Sequence, residues 1–179
     1  MSNKTVVIYK SRYGSTKKYA EWIAEAVDAD LFEKGKINAE DLQKYDTIVF
    51  GGNVHAGRIS GKEFIVDNFA KIADKNIIIF YVGSSIVNDK AIVHFKSHFA
   101  ENIRDRIKLF GLRGAFNSKK LGFIDTLMMF VFKSILKSKK PEKLTEDERG
   151  LLFSCENPTD FIDKNSIAPI VSAIMAFNE

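Results

Sequence analysis

The sequence predicts an α/β protein built on a parallel β-sheet, on three observations. Short runs rich in β-branched and aromatic residues alternate with longer amphipathic stretches along the chain. Two of these runs are mostly apolar: residues 47–51 (TIVFG), enough so to be buried on both faces, and 76–82 (NIIIFYV), the strongest strand signal in the chain. Strands spaced by helices also need crossover connections, and crossovers join parallel neighbours.

Residues 4–9 (KTVVIY) form the first strand. Ser15–Val27 follows as a helix, with Tyr19, Ile23 and Val27 at i, i+4 and i+8. Asp30–Glu33 reads as a short second strand and 39–45 as a polar helical turn or two. After the third strand, 47–51, residues 61–73 place Phe64, Ile65, Phe69 and Ile72 on one helical stripe. The fourth strand, 76–82, is followed by a helix over 90–107 with Ile92, Phe95, Phe99 and Ile103 inward. A fifth strand over 108–116, a very apolar helix over 121–136 and a final helix over 166–177 complete the reading.

The 179 residues, 45% hydrophobic and 28% charged, suit one globular domain over 1–179 and exclude a disordered or fibrous chain. Against 23 acidic residues stand 27 Lys and Arg, a net +4 that favours anionic ligands or surfaces. The single cysteine, Cys155, excludes an internal disulfide and fits a reducing, cytoplasmic location. The first apolar run, 5–9, is too short for a signal peptide, and no run reaches the roughly 18 residues of a spanning helix.

Parallel sheets bind ligands beyond the carboxyl ends of their strands. The loop after the first strand reads Lys10-Ser11-Arg12-Tyr13-Gly14-Ser15-Thr16 and runs straight into a helix. A helix N-terminus offers unpaired amides and about half a positive charge, which suits a phosphate. Ser11, Ser15 and Thr16 add hydroxyls, and Gly14 permits close approach or positive φ. A plainer reading has Ser15 or Thr16 capping the helix and nothing more. The loops after the third and fourth strands, 52–59 (GNVHAGRI) and 83–88 (GSSIVN), carry glycine and asparagine that also suit ordinary turns.

The stretch 7–20 (VIYKSRYGSTKKYA) resembles the flavodoxin phosphate-binding signature. The match runs through two aliphatics, an aromatic, a hydroxyl residue, a small residue, a threonine and a helical alanine. The resemblance implies a three-layer α/β/α flavodoxin-like fold with five parallel strands in the order 2-1-3-4-5. It implies FMN held noncovalently, its phosphate by Ser11, Arg12, Tyr13, Gly14, Ser15 and Thr16. The flavin ring would lie between Asn53, Val54, His55, Ala56 and Gly57 on one side and Gly83, Ser84 and Ser85 on the other. His55 is the one candidate for proton handling.

Two departures from electron-carrier flavodoxins stand out. The ring loops lack the aromatics that sandwich the flavin, leaving its face open to a substrate or to another segment. The chain is also basic where those carriers are acidic. A charge such as Arg58 about 4 Å from the ring, at an effective dielectric near 20, is worth on the order of 4 kcal/mol before desolvation. That favours anionic reduced flavin and two-electron chemistry.

Eleven of the sixteen residues over 121–136 are apolar, and Lys133, Lys137, Lys139, Lys140 and Lys143 end or follow the segment. One reading is a buried crossover helix with a solvated end. The other is an apolar surface beside the flavin that meets a lipid, a quinone or a partner. An insertion over about 117–150, apolar helix then polar loop, is similar to that of flavodoxin-like, menaquinone-dependent protoporphyrinogen dehydrogenases. This resemblance implies an FMN-dependent oxidoreductase of heme biosynthesis, taking two electrons from a porphyrinogen-like molecule to a quinone. It also implies peripheral membrane contact through 121–143. The alternatives are a flavodoxin-type electron carrier docking to redox protein partners, and a flavin-free binding module.

Other chemistries find little support. His94 and His98 share a helical face but lack a glutamate between them and a third ligand, so no metal site is expected. Cys155 reads as a small packed residue. G-x-S-x-G, G-x-G-x-x-G and Walker motifs are absent, and the scattered basic residues do not suggest a nucleic-acid surface.

Overall fold

The protein is described by a computed structural model covering residues 4–118 and 121–177. Lys119 and Lys120, within the expected insertion, lie outside the described residues. Six strands form: β1 (Thr5–Lys10), β2 (Asp30–Glu33), β3 (Thr47–His55), β4 (Arg58–Ile59), β5 (Asn76–Gly83) and β6 (Ile107–Arg113). The sheet order is β2-β1-β3-β5-β6, with β4 pairing antiparallel to the end of β3. All other pairings are parallel. Without the two-residue β4 this is the expected 2-1-3-4-5 arrangement.

The sheet buries both faces because its central strands are apolar on both: Val6, Val7 and Ile8 of β1 and Ile78, Ile79 and Phe80 of β5 are fully buried. On one face α1 (Ser15–Val27) supplies Tyr19 and Ile23, and α8 (Ala168–Met175) supplies Ile170 and Ile174. The opposite face is covered by Ile65 of α2 (Glu63–Asp67), Ile72 of α3 (Phe69–Ile72) and Ile103 of α5 (Glu101–Arg104). Beside them lie Phe95 of α4 (Asp89–Lys96) and Phe99.

Several elements differ from the sequence expectation: β3 runs on to His55 rather than 51, and β4 forms within the expected 52–59 loop. The 61–73 helix breaks in two at Asn68, whose side-chain amide donates to the Phe64 carbonyl at 2.9 Å. The 90–107 helix breaks after Ser97, whose hydroxyl bonds the His94 carbonyl, and Ala100 turns extended at ψ 153°. β6 stops at Arg113 rather than 116, because Phe116 instead pairs with Thr159 in an isolated bridge. The polar end of the insertion is not all loop: it contains α7 (Glu146–Glu156), opened by a capping box between Thr145 and Glu148.

The apolar segment forms α6 (Phe123–Ser138), and here the buried-crossover reading fails. Its buried residues are Asp125 and Leu136. Phe123, Ile124, Leu127, Met128, Phe130, Val131, Phe132 and Ile135 are all exposed, Phe123 at 85% and Phe130 at 68%. No helix among the described residues is long and apolar enough to cross a membrane.

Candidate functional site

The phosphate-type loop, the β3–β4 turn and the loop after β5 sit together at the carboxyl edge of the sheet, where β1, β3 and β5 run side by side. Gly14 adopts φ 95°, a left-handed conformation that disfavours any side chain, and its amide donates to Ser11 Oγ at 3.1 Å. Gly14 is also the N-cap of α1, and no side chain caps the helix. This decides against the plain capping reading. Ser15 Oγ instead accepts from the Ala115 amide at 3.2 Å, tying the loop to the segment leaving β6.

Thr16 is 1% exposed, and its Oγ1 has no hydrogen-bond partner. An unpaired buried hydroxyl costs about 1–3 kcal/mol. The first helical bond runs from Lys18 N–H to the Gly14 carbonyl, so the amides of Ser15, Thr16 and Lys17 have no intrahelical acceptor. One orphaned hydroxyl beside uncapped amides at the positive end of a helix fits an anionic phosphate.

Arg12 and Tyr13 are held by a residue the sequence reading missed, Asp125 in the first turn of α6. Arg12 Nε lies 2.8 Å from Asp125 Oδ2, and the Tyr13 hydroxyl donates a hydrogen bond to the same oxygen. His55 Nε2 lies 3.0 Å from Asp125 Oδ1. The Tyr13 hydroxyl, with lesser help from His55 and Arg12, holds this buried carboxyl below its ordinary range, against the upward pull of burial. Asp125 is the lone acidic residue in 121–136, and that charge in an apolar stretch was the signal to follow.

Ala56 and Gly57 form the turn of the β3–β4 hairpin with φ 48° and 74°. Both signs match a type I′ turn. The Asn53 carbonyl accepts from Ser60 N–H at 2.9 Å, so this loop is a hydrogen-bonded hairpin, the ordinary turn its glycine and asparagine also suited. Arg58 pairs across it with His55 and is exposed, so solvent screens its charge well below the value reckoned from sequence. Gly83 ends β5 beside Val54, and its carbonyl accepts from Gly114 N–H at 2.7 Å. Ser84 and Ser85 line two adjoining cavities. Neither ring loop supplies a stacking aromatic, but Phe153 of α7 and Phe161 stand at one of these cavities, so a later segment covers this side. Among the described residues no cluster of His, Cys, Asp or Glu is placed to hold a metal ion.

The family model described as flavodoxin domain matches residues 6–143, most of the chain. The protein belongs to the flavodoxin domain family. It is 28% identical over 107 residues to an uncharacterized protein of Methanocaldococcus jannaschii, a match covering 59% of this chain and 66% of that relative, just under two thirds of its length. Oxidised flavodoxin 2 from Bacillus cereus aligns at 18% identity over 86% of this chain and 95% of its own, with a TM-score of 0.47. A flavoprotein from Lactobacillus acidophilus solved in complex with FMN aligns at 23% identity over 63% of this chain and 93% of its own, with a TM-score of 0.41. In this flavodoxin-domain chain the 10–16 loop lies between β1 and α1, a strand-turn-helix setting.

Proposed function

We propose that this flavodoxin-domain protein is an FMN-dependent two-electron oxidoreductase. The observation that carries the reading is the unpaired, buried Thr16 hydroxyl at the uncapped start of α1. Thr16, Ser15, Ser11 and Gly14 would hold the phosphate, with Arg12 and Tyr13 beside it. Asn53, Val54, His55, Ala56, Gly57, Gly83, Ser84 and Ser85 would flank the ring. Bound there, the flavin supplies hydride and electron transfer. An ionised Asp125 only accepts, so His55 donates to it through Nε2, which orients the imidazole proposed to handle protons beside these loops.

The finer reading is a protoporphyrinogen-dehydrogenase type of reaction with a quinone acceptor, carried out at an anionic membrane surface. The exposed apolar side chains of α6 support it, as do the lysines near its end. Lys133 and Lys137 pair with Glu156 and Lys139 with Glu148, which leaves Lys140 and Lys143 without ion pairs among the described residues. The test is to load the chain with FMN, assay porphyrinogen oxidation with a menaquinone analogue, and measure flotation with anionic vesicles. Turnover together with flotation lost in Phe130→Ser is expected. Turnover by partner flavoproteins only, with no vesicle binding, would point to an electron carrier instead.

A further inference from the structure

A cavity of about 400 Å³ lies between the loop after β5 and the insertion helix α7. Its walls include Ser84, Arg113, Arg149, Phe153, Phe161 and Glu146. The two arginines come from opposite sides, Arg113 from the end of β6 and Arg149 from α7. Arg113 is poorly satisfied. It makes one long bond to the Ser84 carbonyl at 3.4 Å, its buried Nε has no acceptor, and its guanidinium stacks on Phe161 with 3.5 Å to the ring centre. Arg149 reaches the Pro141 carbonyl at 3.3 Å. Neither guanidinium has an ion pair among the described residues, although the Glu146 carboxylate lines the same cavity.

Two cations with few acceptors, facing a space walled by two phenyl rings, form an anion site with an apolar body. Guanidinium prefers the planar, two-oxygen geometry of a carboxylate. The tyrosine of α1 fixes the backbone here: Tyr19 Oη donates to the Arg113 carbonyl at 2.7 Å and accepts from Asp163 N–H at 3.1 Å. Arg113 is therefore set on a rigid strand end, while α7 brings the second cation and Phe153.

We propose that this cavity binds the carboxylate of a largely apolar, ring-bearing small molecule, gripped between Arg113 and Arg149 with its body against Phe153 and Phe161. Because Ser84 belongs to both this cavity and the ring loop, the bound acid lies beside the flavin; that adjacency rests on the FMN reading above, whereas the binding does not. The site occupies the position of a substrate, separate from the phosphate loop.

The test uses 2-naphthoate and its uncharged analogue 2-naphthamide, titrated calorimetrically into the full chain with and without saturating FMN. Naphthoate is expected to bind at least tenfold tighter than the amide and to bind alongside FMN. Arg149→Gln, on the exposed face of α7, should lose about tenfold for naphthoate, nothing for the amide, and leave FMN binding unchanged. Arg113→Gln should match it if its thermal unfolding shows a folded chain; otherwise Arg149→Gln decides. Equal binding of acid and amide, no effect of Arg149→Gln, or competition between naphthoate and FMN would each overturn the proposal. Arginine-dependent naphthoate binding in a chain that fails to take FMN would sink the flavin reading and leave this one standing.

Discussion

Asp125 Oδ1 lies 3.0 Å from His55 Nε2, across 70 residues of sequence. The other oxygen of the same carboxylate holds Arg12 and Tyr13. One buried acid therefore joins the phosphate-type loop, the β3–β4 hairpin and the first turn of the insertion helix. Elsewhere α6 is fastened by buried Leu136 and by Lys133 and Lys137 on Glu156, while most of its apolar side chains face solvent.

Replacing Asp125 with Asn removes the charge that gathers these groups. Arg12 is 42% exposed, so its share is screened, and the loss is about 1 kcal/mol from the buried hydrogen bonds. The amides of α6 should exchange faster, while those of β1 and β5 should not. Unchanged exchange throughout α6 would mean that the helix is anchored elsewhere.

The same carboxyl sets an acid limit. Its pKa is held below the ordinary 3.8, chiefly by the Tyr13 hydroxyl, so the folded chain binds this proton less readily than the unfolded one. Its contribution is complete above about pH 3.8 and is lost as pH falls through the lower, folded value. Urea midpoints of wild type and Asp125→Asn should converge as pH falls below 3.8 toward the lower, folded value. A gap that stays constant into strong acid would contradict this.

Ala56 sits at φ 48° in a turn whose geometry favours Asn or Gly. A left-handed alanine costs roughly 1 kcal/mol, so Ala56→Asn should raise thermal stability by several degrees. A fall in the unfolding temperature would show that the alanine methyl makes a contact worth more than its strain.

Gly51 lies under the ring of Phe80, and an added Cβ there would overlap the ring. Gly51→Ala should destabilise by about 1–3 kcal/mol, measured by urea unfolding, because the close-packed centre of β3 and β5 has no room to give. A neutral effect would require Phe80 to swing aside.

Legibility from sequence tracked the range of each interaction. The five longer strands and α1 were readable because their patterns are local, and the turn between β1 and α1 because its glycine and hydroxyls lie within seven residues, 10–16. Asp125 was missed because its partners are distant in sequence, Tyr13 by 112 residues, even though a lone acid in an apolar helix marked the place. The breaks at Asn68 and Ser97 come from side chains bonding carbonyls one turn back, which periodicity does not register. α7 was signalled locally, by Thr145 and Glu148 at capping-box spacing, but its polar composition hid it.

The most direct test of the central claim compares wild type and Thr16→Val by FMN fluorescence quenching and by thermal unfolding without flavin. The swap is nearly isosteric and removes an unpaired buried hydroxyl, so the flavin-free chain should be as stable or more so, while FMN affinity falls about tenfold. Saturable quenching at one FMN per chain, weakened in the variant, is the predicted result. No quenching by either protein, or equal affinity in both, would contradict a phosphate seated where β1 turns into α1.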